Sequence, residues 1–180
     1  MIKDDLKRKS NVYIIATVGI ALALCLLAQA FKGIQFVTGP LVNTVLIITG
    51  LYVGMIPGVI VAVLSPVMAY IFAPAPVMQA LPQMISVIML GNSVIVVVTC
   101  LLKRKIILGL SIAAISKSLV MWLLSSFVII PLFGDALRAP MIEAIRVTFS
   151  INQLVTSVIG AIIAYPVWQL MQNAGFTYND

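Results

Sequence analysis

The stretch SIAAISKSLVMWLLSS, residues 111–126, places one lysine in the middle of a strongly apolar run. Lys117 is the only charged residue between Ile106 and Ile130. At a helical rise of about 1.5 Å per residue, it lies roughly 17 Å from the start of this run and roughly 20 Å from its end, near the midplane of a bilayer about 30 Å thick. A lysine at that depth costs roughly 2.5–3.5 kcal/mol to insert, so it indicates a functional site whose partner must be identified.

The composition excludes a soluble globular domain. Of the 180 residues, 62% are hydrophobic and 9% are charged, and the mean hydropathy is +1.18, as expected of a polytopic membrane protein. The net charge of +6 does not indicate nucleic-acid binding, because the basic residues cluster at the ends of apolar spans, where they set topology. Cys25 and Cys100 lie within apolar spans and are interpreted as small buried hydrophobic residues.

Six apolar segments predict an all-α integral membrane protein, a six-transmembrane-helix bundle that forms a single membrane domain over residues 1–180. The predicted spans are residues 11–31, 41–55, 59–73, 84–102, 106–130 and 148–171. The longer connections are residues 32–40, which end in the turn pair Gly39-Pro40, residues 73–82, whose three prolines predict an irregular loop, and the polar residues 131–147.

The distribution of basic residues predicts the orientation of the bundle. Six spans place both termini on one side, and the positive-inside rule assigns the more basic side to the cytoplasm. That side carries Lys3, Lys7, Arg8, Lys9, Lys103, Arg104 and Lys105, against Lys32, Arg138 and Arg146 on the other. We therefore expect a multi-pass protein of the plasma membrane, with cytoplasmic termini and with the three longer connections facing outward.

All five acidic residues lie outside the spans, so Lys117 has no carboxylate of its own chain at its depth. Three outcomes remain open: the desolvated lysine is uncharged, it lines a water-filled cavity, or its counter-ion arrives as a ligand. The last two together predict a binding pocket for a small anion. The alternative is a structural lysine that pairs with carbonyl groups or is reached by Glu143.

Polar side chains within the spans fall mainly toward the outward half, which supports a pocket there. Amides suit recognition of a ligand that carries hydroxyl or amide groups, although each one alone is often a contact between helices. The candidate substrate-binding residues are Lys117, Asn43, Asn92, Asn152, Gln153 and Met121. Arg146 could assist an anion, but a pair with Glu143, three residues earlier, is the simpler expectation.

The first span carries two stripes of small residues, one with Thr17, Ala21 and Cys25 and one with Gly19 and Ala23. Small residues at this spacing let a second helix approach closely. The stripes therefore predict either packing within the bundle or docking to another subunit.

No enzyme motif is present in the sequence. It contains no Gly-rich phosphate loop, no H-E-x-x-H and no histidine at all, so we expect neither catalysis nor a cofactor. A chain that binds a small solute but cannot hydrolyse ATP must obtain its energy from another subunit.

Four stretches together resemble the substrate-binding S components of energy-coupling factor (ECF) vitamin transporters. They are GPLVNTVLIITGLYVG (39–54), LPQMISVIMLGNSVIVV (81–97), AAISKSLVMWL (113–123) and TFSINQLVTSVIGAIIA (148–164). The resemblance implies a six-helix bundle that binds a vitamin on its outward side beneath capping loops. It also implies a transmembrane coupling subunit and two cytoplasmic ATPases as partners, and a bundle that topples in the membrane to deliver its substrate.

The resemblance also bears on docking and on the substrate. The family's A-x-x-x-A contact to the coupling subunit is matched approximately by Thr17-x-x-x-Ala21 and Gly19-x-x-x-Ala23. Among the family's substrates, pantothenate best fits a lone buried lysine with several amides, while cobalamin, pyridoxine and a nicotinate-like acid remain open. A membrane scaffold without transport activity is the alternative from another class. A carrier that works alone is disfavoured, because the spans contain no acids.

Overall fold

The computed structural model describes residues 11–31 and 35–175, and every regular element in this part of the chain is helical. The helices are α1 (Asn11–Ala30), α2 (Gln35–Tyr52), α3 (Met55–Phe72), α4 (Pro76–Ala80), α5 (Met84–Leu101), α6 (Ile106–Leu124), α7 (Ile130–Phe133), α8 (Ala139–Thr148) and α9 (Ile151–Asn173). A π-helical turn, Ser125–Ile129, joins α6 to α7.

Six helical segments among the described residues are long and apolar enough to cross a membrane. Helices α1, α2, α3 and α5 each form one segment, the fifth runs from Lys103 through α6 to Phe133, and the sixth combines α8 and α9. Large apolar side chains such as Ile20, Ile56 and Ile162 are exposed on the outside, as lipid contact requires. The prediction of an all-α protein with six spans is confirmed. Residues 1–10, Lys32 and Asp180, which entered the sequence argument, lie outside the described residues.

The second span begins earlier than predicted. Helix α2 starts at Gln35, so Gly39-Pro40 lies inside a helix, and the predicted turn at this pair is wrong. Proline has no N–H to donate to the preceding turn, and membrane helices accept this where Ser or Thr side chains and neighbouring helices satisfy the backbone. The carbonyl that Pro40 leaves without a helical partner is that of Phe36. Separately, the Thr44 hydroxyl donates to the Pro40 carbonyl oxygen at 2.9 Å, and it also lies 3.0 Å from the Gly160 carbonyl oxygen of α9.

Two of the predicted connections contain short helices. Residues 76–80 form α4 and residues 139–148 form α8, so the irregular loop predicted over residues 73–82 and the polar connection over 131–147 are only partly irregular. Each of these helices carries a proline in its first turn, at Pro76 and Pro140. Proline is well suited to that position, because its missing N–H would have no partner within the helix there.

Helix α2 lies at the centre of the bundle and packs against α1, α3, α5 and α9. Helix α6 packs against α5 and α9 on the other side of the site, whereas α1 packs mainly on α2 and α3. The helices that contain the predicted site residues Asn43, Asn92 and Lys117 are therefore neighbours: α2 contacts α5, and α5 contacts α6.

Two apolar clusters fill the interior. The main core takes residues from α1, α2, α3, α5, α6 and α9, including Cys25, Leu46, Ile47, Val61, Ile95, Val96, Ala113 and Ala161. The second core is smaller and consists of Leu81, Met84, Val87, Met121, Ile129, Ile130, Ile145 and Phe149. Because α8 contributes Ile145 and α7 contributes Ile130, the second core lies at the end of the bundle where the connections 73–82 and 131–147 meet.

Candidate substrate-binding site

Lys117 is 3% exposed, and its ammonium lies between two asparagine side chains. It donates one hydrogen bond to Asn43 Oδ1 from α2 and a second to Asn92 Oδ1 from α5, at 2.8 Å. Asn43 and Asn92 are themselves 1% and 3% exposed. Three helices thus supply one base and two amides to a single polar centre inside the bundle.

The polar centre separates the two apolar cores. On α6, Lys117 lies one turn after Ala113 of the main core and one turn before Met121 of the second core. On α5, Asn92 lies between Val87 of the second core and Ile95 of the main core. On both helices, the polar residue therefore lies at the level where the two apolar cores meet.

The lysine determines how both amides are oriented. An ammonium group only donates hydrogen bonds, so each asparagine must turn its oxygen toward Lys117 and its NH₂ group away. The Asn43 NH₂ group points to Ser157 Oγ of α9, at 3.5 Å, which is a long contact. Among the described residues, the Asn92 NH₂ group has no hydrogen-bond partner. The N–H groups left over at the polar centre are therefore the third N–H of the ammonium and the NH₂ group of Asn92.

Two glycines permit this close approach of helices. A Cβ atom at Gly160 would lie 2.6 Å from Asn43 Cβ and 2.9 Å from the Pro40 carbonyl oxygen, so α9 reaches α2 at this level only with glycine there. A Cβ atom at Gly91 would lie 2.4 Å from Met121 Cγ and 3.6 Å from Lys117 Cγ. Both glycines therefore border the side chains of the polar centre.

The structure brings together most of the predicted binding residues. Lys117, Asn43 and Asn92 form the centre, and Met121 packs against Gly91 beside them. Asn152 and Gln153 are half-buried in the first turn of α9, and no hydrogen bond joins their side chains to Lys117 within the described residues.

Sequence reasoning missed Ser157 and Gly160. Ser157 is fully buried and contacts Asn43, and Gly160 sets the distance between the helices. The available signal was the spacing of small residues along α9, which includes Ser157, Gly160, Ala161 and Ala164. It did not show which helix would pack against them.

The predicted roles of Glu143 and Arg146 are corrected. Both side chains are exposed on α8, and the described residues contain no ion pair between them. Lys117 likewise has no carboxylate partner in the described part of the chain, so Glu143 does not reach it. The groups around Lys117 Nζ are the neutral amide oxygens of Asn43 and Asn92.

The two stripes of small residues on α1 face opposite ways. Ala21 and Cys25 are buried in the main core, and Thr17 is half-buried with its hydroxyl donating to the Tyr13 carbonyl oxygen at 2.7 Å. Gly19 and Ala23 are exposed, and a Cβ atom at Gly19 would meet nothing within 4 Å. Of the predicted docking residues, only Gly19 and Ala23 lie on the outer surface of the bundle.

A six-span helical bundle with an uncompensated base buried among amides defines a polytopic membrane protein built around an internal polar site. The family model for the substrate-specific component of ECF transporters matches residues 14–171, and the chain therefore belongs to that family. Members are transport subunits rather than catalysts, and the family implies an ECF module as partner. No curated protein and no solved structure matched the chain.

Proposed function

We propose that this chain binds a small carboxylate vitamin for an ECF importer, and that pantothenate is the best candidate. The family membership supports the role of substrate-specific subunit. The choice of a carboxylate rests on the polar centre formed by Lys117, Asn43 and Asn92. The vitamin would enter from the outward side, and the bundle would reorient in the membrane to release it.

The observation that carries the substrate class is the orientation of the two amides. Both side-chain oxygens face Lys117 Nζ, so the N–H donors left for a ligand are the third N–H of the ammonium and the NH₂ group of Asn92. A site that offers unused N–H donors beside a basic group favours a ligand group that accepts hydrogen bonds and carries negative charge. A carboxylate is such a group, and it supplies the charge that the chain lacks at this depth.

The rest of the ligand would lie toward the second core. Asn152 and Gln153 are half-buried at the start of α9 on that side, and their amides can bind hydroxyl or amide groups of the substrate. Pantothenate carries a carboxylate, an amide and hydroxyls. A nicotinate-like acid shares the carboxylate alone, whereas pyridoxine and cobalamin have no carboxylate to pair with Lys117.

Entry of a ligand requires the second core to open. Met121, Ile145 and Phe149 are nearly fully buried together between the polar centre and the connections at the end of the bundle. The described conformation is therefore closed above Lys117. Separation of α8 from this cluster would expose the polar centre to that side of the membrane, which the distribution of basic residues assigns to the exterior.

We propose that the outer face of α1 docks onto the transmembrane coupling subunit, which in turn works with two cytoplasmic ATPases. Gly19 and Ala23 form a flat strip on this face, and small residues allow two helix backbones to approach closely. The termini would be cytoplasmic, as the basic turn Lys103–Lys105 indicates. The chain would thus reside in the plasma membrane as a multi-pass subunit.

The experiment is a binding measurement on the purified chain in nanodiscs, with a panel of vitamins and thermal unfolding as the first readout. A ligand present at 100 times its Kd stabilises the protein by about 2.7 kcal/mol. We expect pantothenate to stabilise the wild type, and Lys117→Ala to weaken its affinity more than tenfold because the counter-charge is lost. Lys105→Ala, at an exposed lysine, is the matched control. Unchanged affinity in Lys117→Ala would refute the carboxylate assignment.

One observation favours a second function, that of a membrane scaffold. Lys117 has two hydrogen-bonded partners within the chain, and these contacts link α2, α5 and α6. On this alternative, no vitamin of the panel stabilises the wild type. Lys117→Met then lowers the melting temperature but does not change the uptake of any vitamin by cells. A ligand-dependent shift in the wild type excludes the scaffold.

A further inference from the structure

The contact between α2 and α9 is unusually close at one level of the bundle. Gly160 offers no side chain there, and an added Cβ would lie 2.9 Å from the Pro40 carbonyl oxygen and 3.5 Å from Pro40 Cα. These are backbone atoms of a helix and cannot rotate away as a flexible side chain could. The Thr44 hydroxyl lies within hydrogen-bonding distance of both the Pro40 and the Gly160 carbonyl oxygens, at 2.9 and 3.0 Å.

The same contact fixes the position of Asn43. The Cβ atom of Asn43 would be only 2.6 Å from a Cβ atom at position 160. Asn43 follows Pro40 by three residues on α2, so both face α9, and its amide extends from this contact to the ammonium of Lys117. Any increase in the separation of α2 from α9 therefore moves or rotates Asn43 relative to Lys117.

We propose that Gly160 is a positioning residue for the substrate site: it holds Asn43 on Lys117 and thereby sets the preference of the site for a carboxylate over a neutral analogue. Gly160 contacts Asn43 and Pro40, and it acts on the ligand only through them. The proposal rests on the proposed function, because it takes Lys117 as the group that receives the carboxylate.

The physical reason lies in the two acceptors of the ammonium. A buried positive charge must be compensated for its lost hydration, and here the oxygens of Asn43 and Asn92 do so. When Asn43 is displaced, the lysine side chain retains one acceptor and is no longer held in one orientation. A carboxylate then has to order the lysine as it binds, which weakens its affinity, whereas a neutral analogue that gains little from the charge loses less.

The test compares Gly160→Ala with Gly19→Ala, a glycine whose added Cβ would meet nothing within 4 Å. The probes are pantothenate and its neutral alcohol pantothenol, with nicotinate and nicotinamide as the second pair. We expect Gly160→Ala to reduce the ratio of carboxylate affinity to neutral-analogue affinity by roughly tenfold, the loss of about one well-formed hydrogen bond to a charged group. Gly19→Ala should leave the ratio unchanged. An equal loss of affinity for both members of a pair would mean a structural role only and would overturn the proposal.

A second variant covers the case in which Gly160→Ala does not fold. Thr44→Val removes the hydroxyl near Pro40 and Gly160 without adding bulk, and it should reduce the same affinity ratio in the same direction. An unchanged ratio in Thr44→Val, with folded protein, would contradict the role of the α2 and α9 contact.

A readout without ligand separates this proposal from the proposed function. Gly160→Ala and Thr44→Val are each introduced into the wild type and into Lys117→Met, and unfolding is followed by heating. Gly160 has Asn43 and Pro40, and not Lys117, as its neighbours. If the contact acts on Lys117 through Asn43, each substitution should therefore lower the melting temperature more in the wild type than in Lys117→Met. Equal shifts in both backgrounds would refute positioning, whatever the vitamin panel shows. Absence of any vitamin binding by the wild type would refute only the proposed function.

Discussion

The first two helices of the bundle are neighbours with opposite surroundings. Half of the residues in the 18-residue apolar stretch of α2 are buried inside the protein, against 17% of those in the corresponding stretch of α1. Helix α2 carries Asn43 and packs against four helices, while α1 packs mainly on α2 and α3 and leaves Gly19 and Ala23 exposed. On the proposed function, α2 forms the site, and the exposed small residues of α1 offer a surface to which another helix can approach closely.

The largest effect is expected on α2, from Asn43→Leu. The substitution removes one acceptor from Lys117 and places an apolar side chain beside a buried ammonium, which should cost about 3 kcal/mol of stability and more than tenfold in carboxylate affinity. Thermal unfolding and calorimetric titration with pantothenate measure the two quantities. Gln169→Leu, on the exposed part of α9, is the control and should leave affinity unchanged. Full affinity in Asn43→Leu would remove α2 from the site.

The next effect is expected on the outer face of α1, from Gly19→Leu. A bulky side chain there meets only lipid in the isolated chain, so the melting temperature and vitamin affinity should remain those of the wild type. Assembly with the coupling subunit should fall by roughly tenfold or more, because the two helix backbones can no longer approach closely. Co-purification of the ECF module with tagged chain measures this. Leu24→Ala is the control, because Leu24 is exposed but lies about 100° around the helix from Ala23. Normal assembly of Gly19→Leu would place the docking face elsewhere.

The inner face of α1 should respond in the opposite way, in Ala21→Leu. Ala21 is 4% exposed and lies in the main core, so three added carbon atoms have no space and should cost about 1–3 kcal/mol of stability. Whatever protein remains folded should still assemble with the coupling subunit. A variant with unchanged melting temperature but impaired assembly would reverse the assignment of the two faces.

The sequence was sufficient for the spans and for the members of the polar centre. A charge or an amide within an apolar run is rare, so Lys117, Asn43 and Asn92 could be identified without knowledge of their neighbours. Their mutual contact could not, because each lies on a different helix and only the packing order of α2, α5 and α6 brings them together.

The failures have physical causes of the same kind. Gly39-Pro40 is a typical turn pair, yet α2 continues through Pro40, at the level where α9 packs closely through Gly160. Helix α8 was missed because prolines and charged residues suggested a polar loop. In the structure, Pro140 lies in the first turn of α8, and the apolar side of that helix covers the second core. Both outcomes depend on tertiary contacts that local patterns do not contain.

The smallest effect is expected at the far end of α2, from Tyr52→Phe. The Tyr52 hydroxyl donates to the Trp168 carbonyl oxygen of α9 at 2.8 Å, and the residue is 3% exposed. Removal of the hydroxyl should cost about 1 kcal/mol, because the hydrogen bond is lost while the ring keeps its packing. Tyr70→Phe on α3 is the control, since that residue is 37% exposed, and it should have no measurable effect on unfolding. Tyr52 lies nine residues from Asn43, more than two turns along α2, so vitamin affinity should not change. A loss of affinity in Tyr52→Phe would show that the whole length of α2, and not only its contact at Gly160, positions the polar centre.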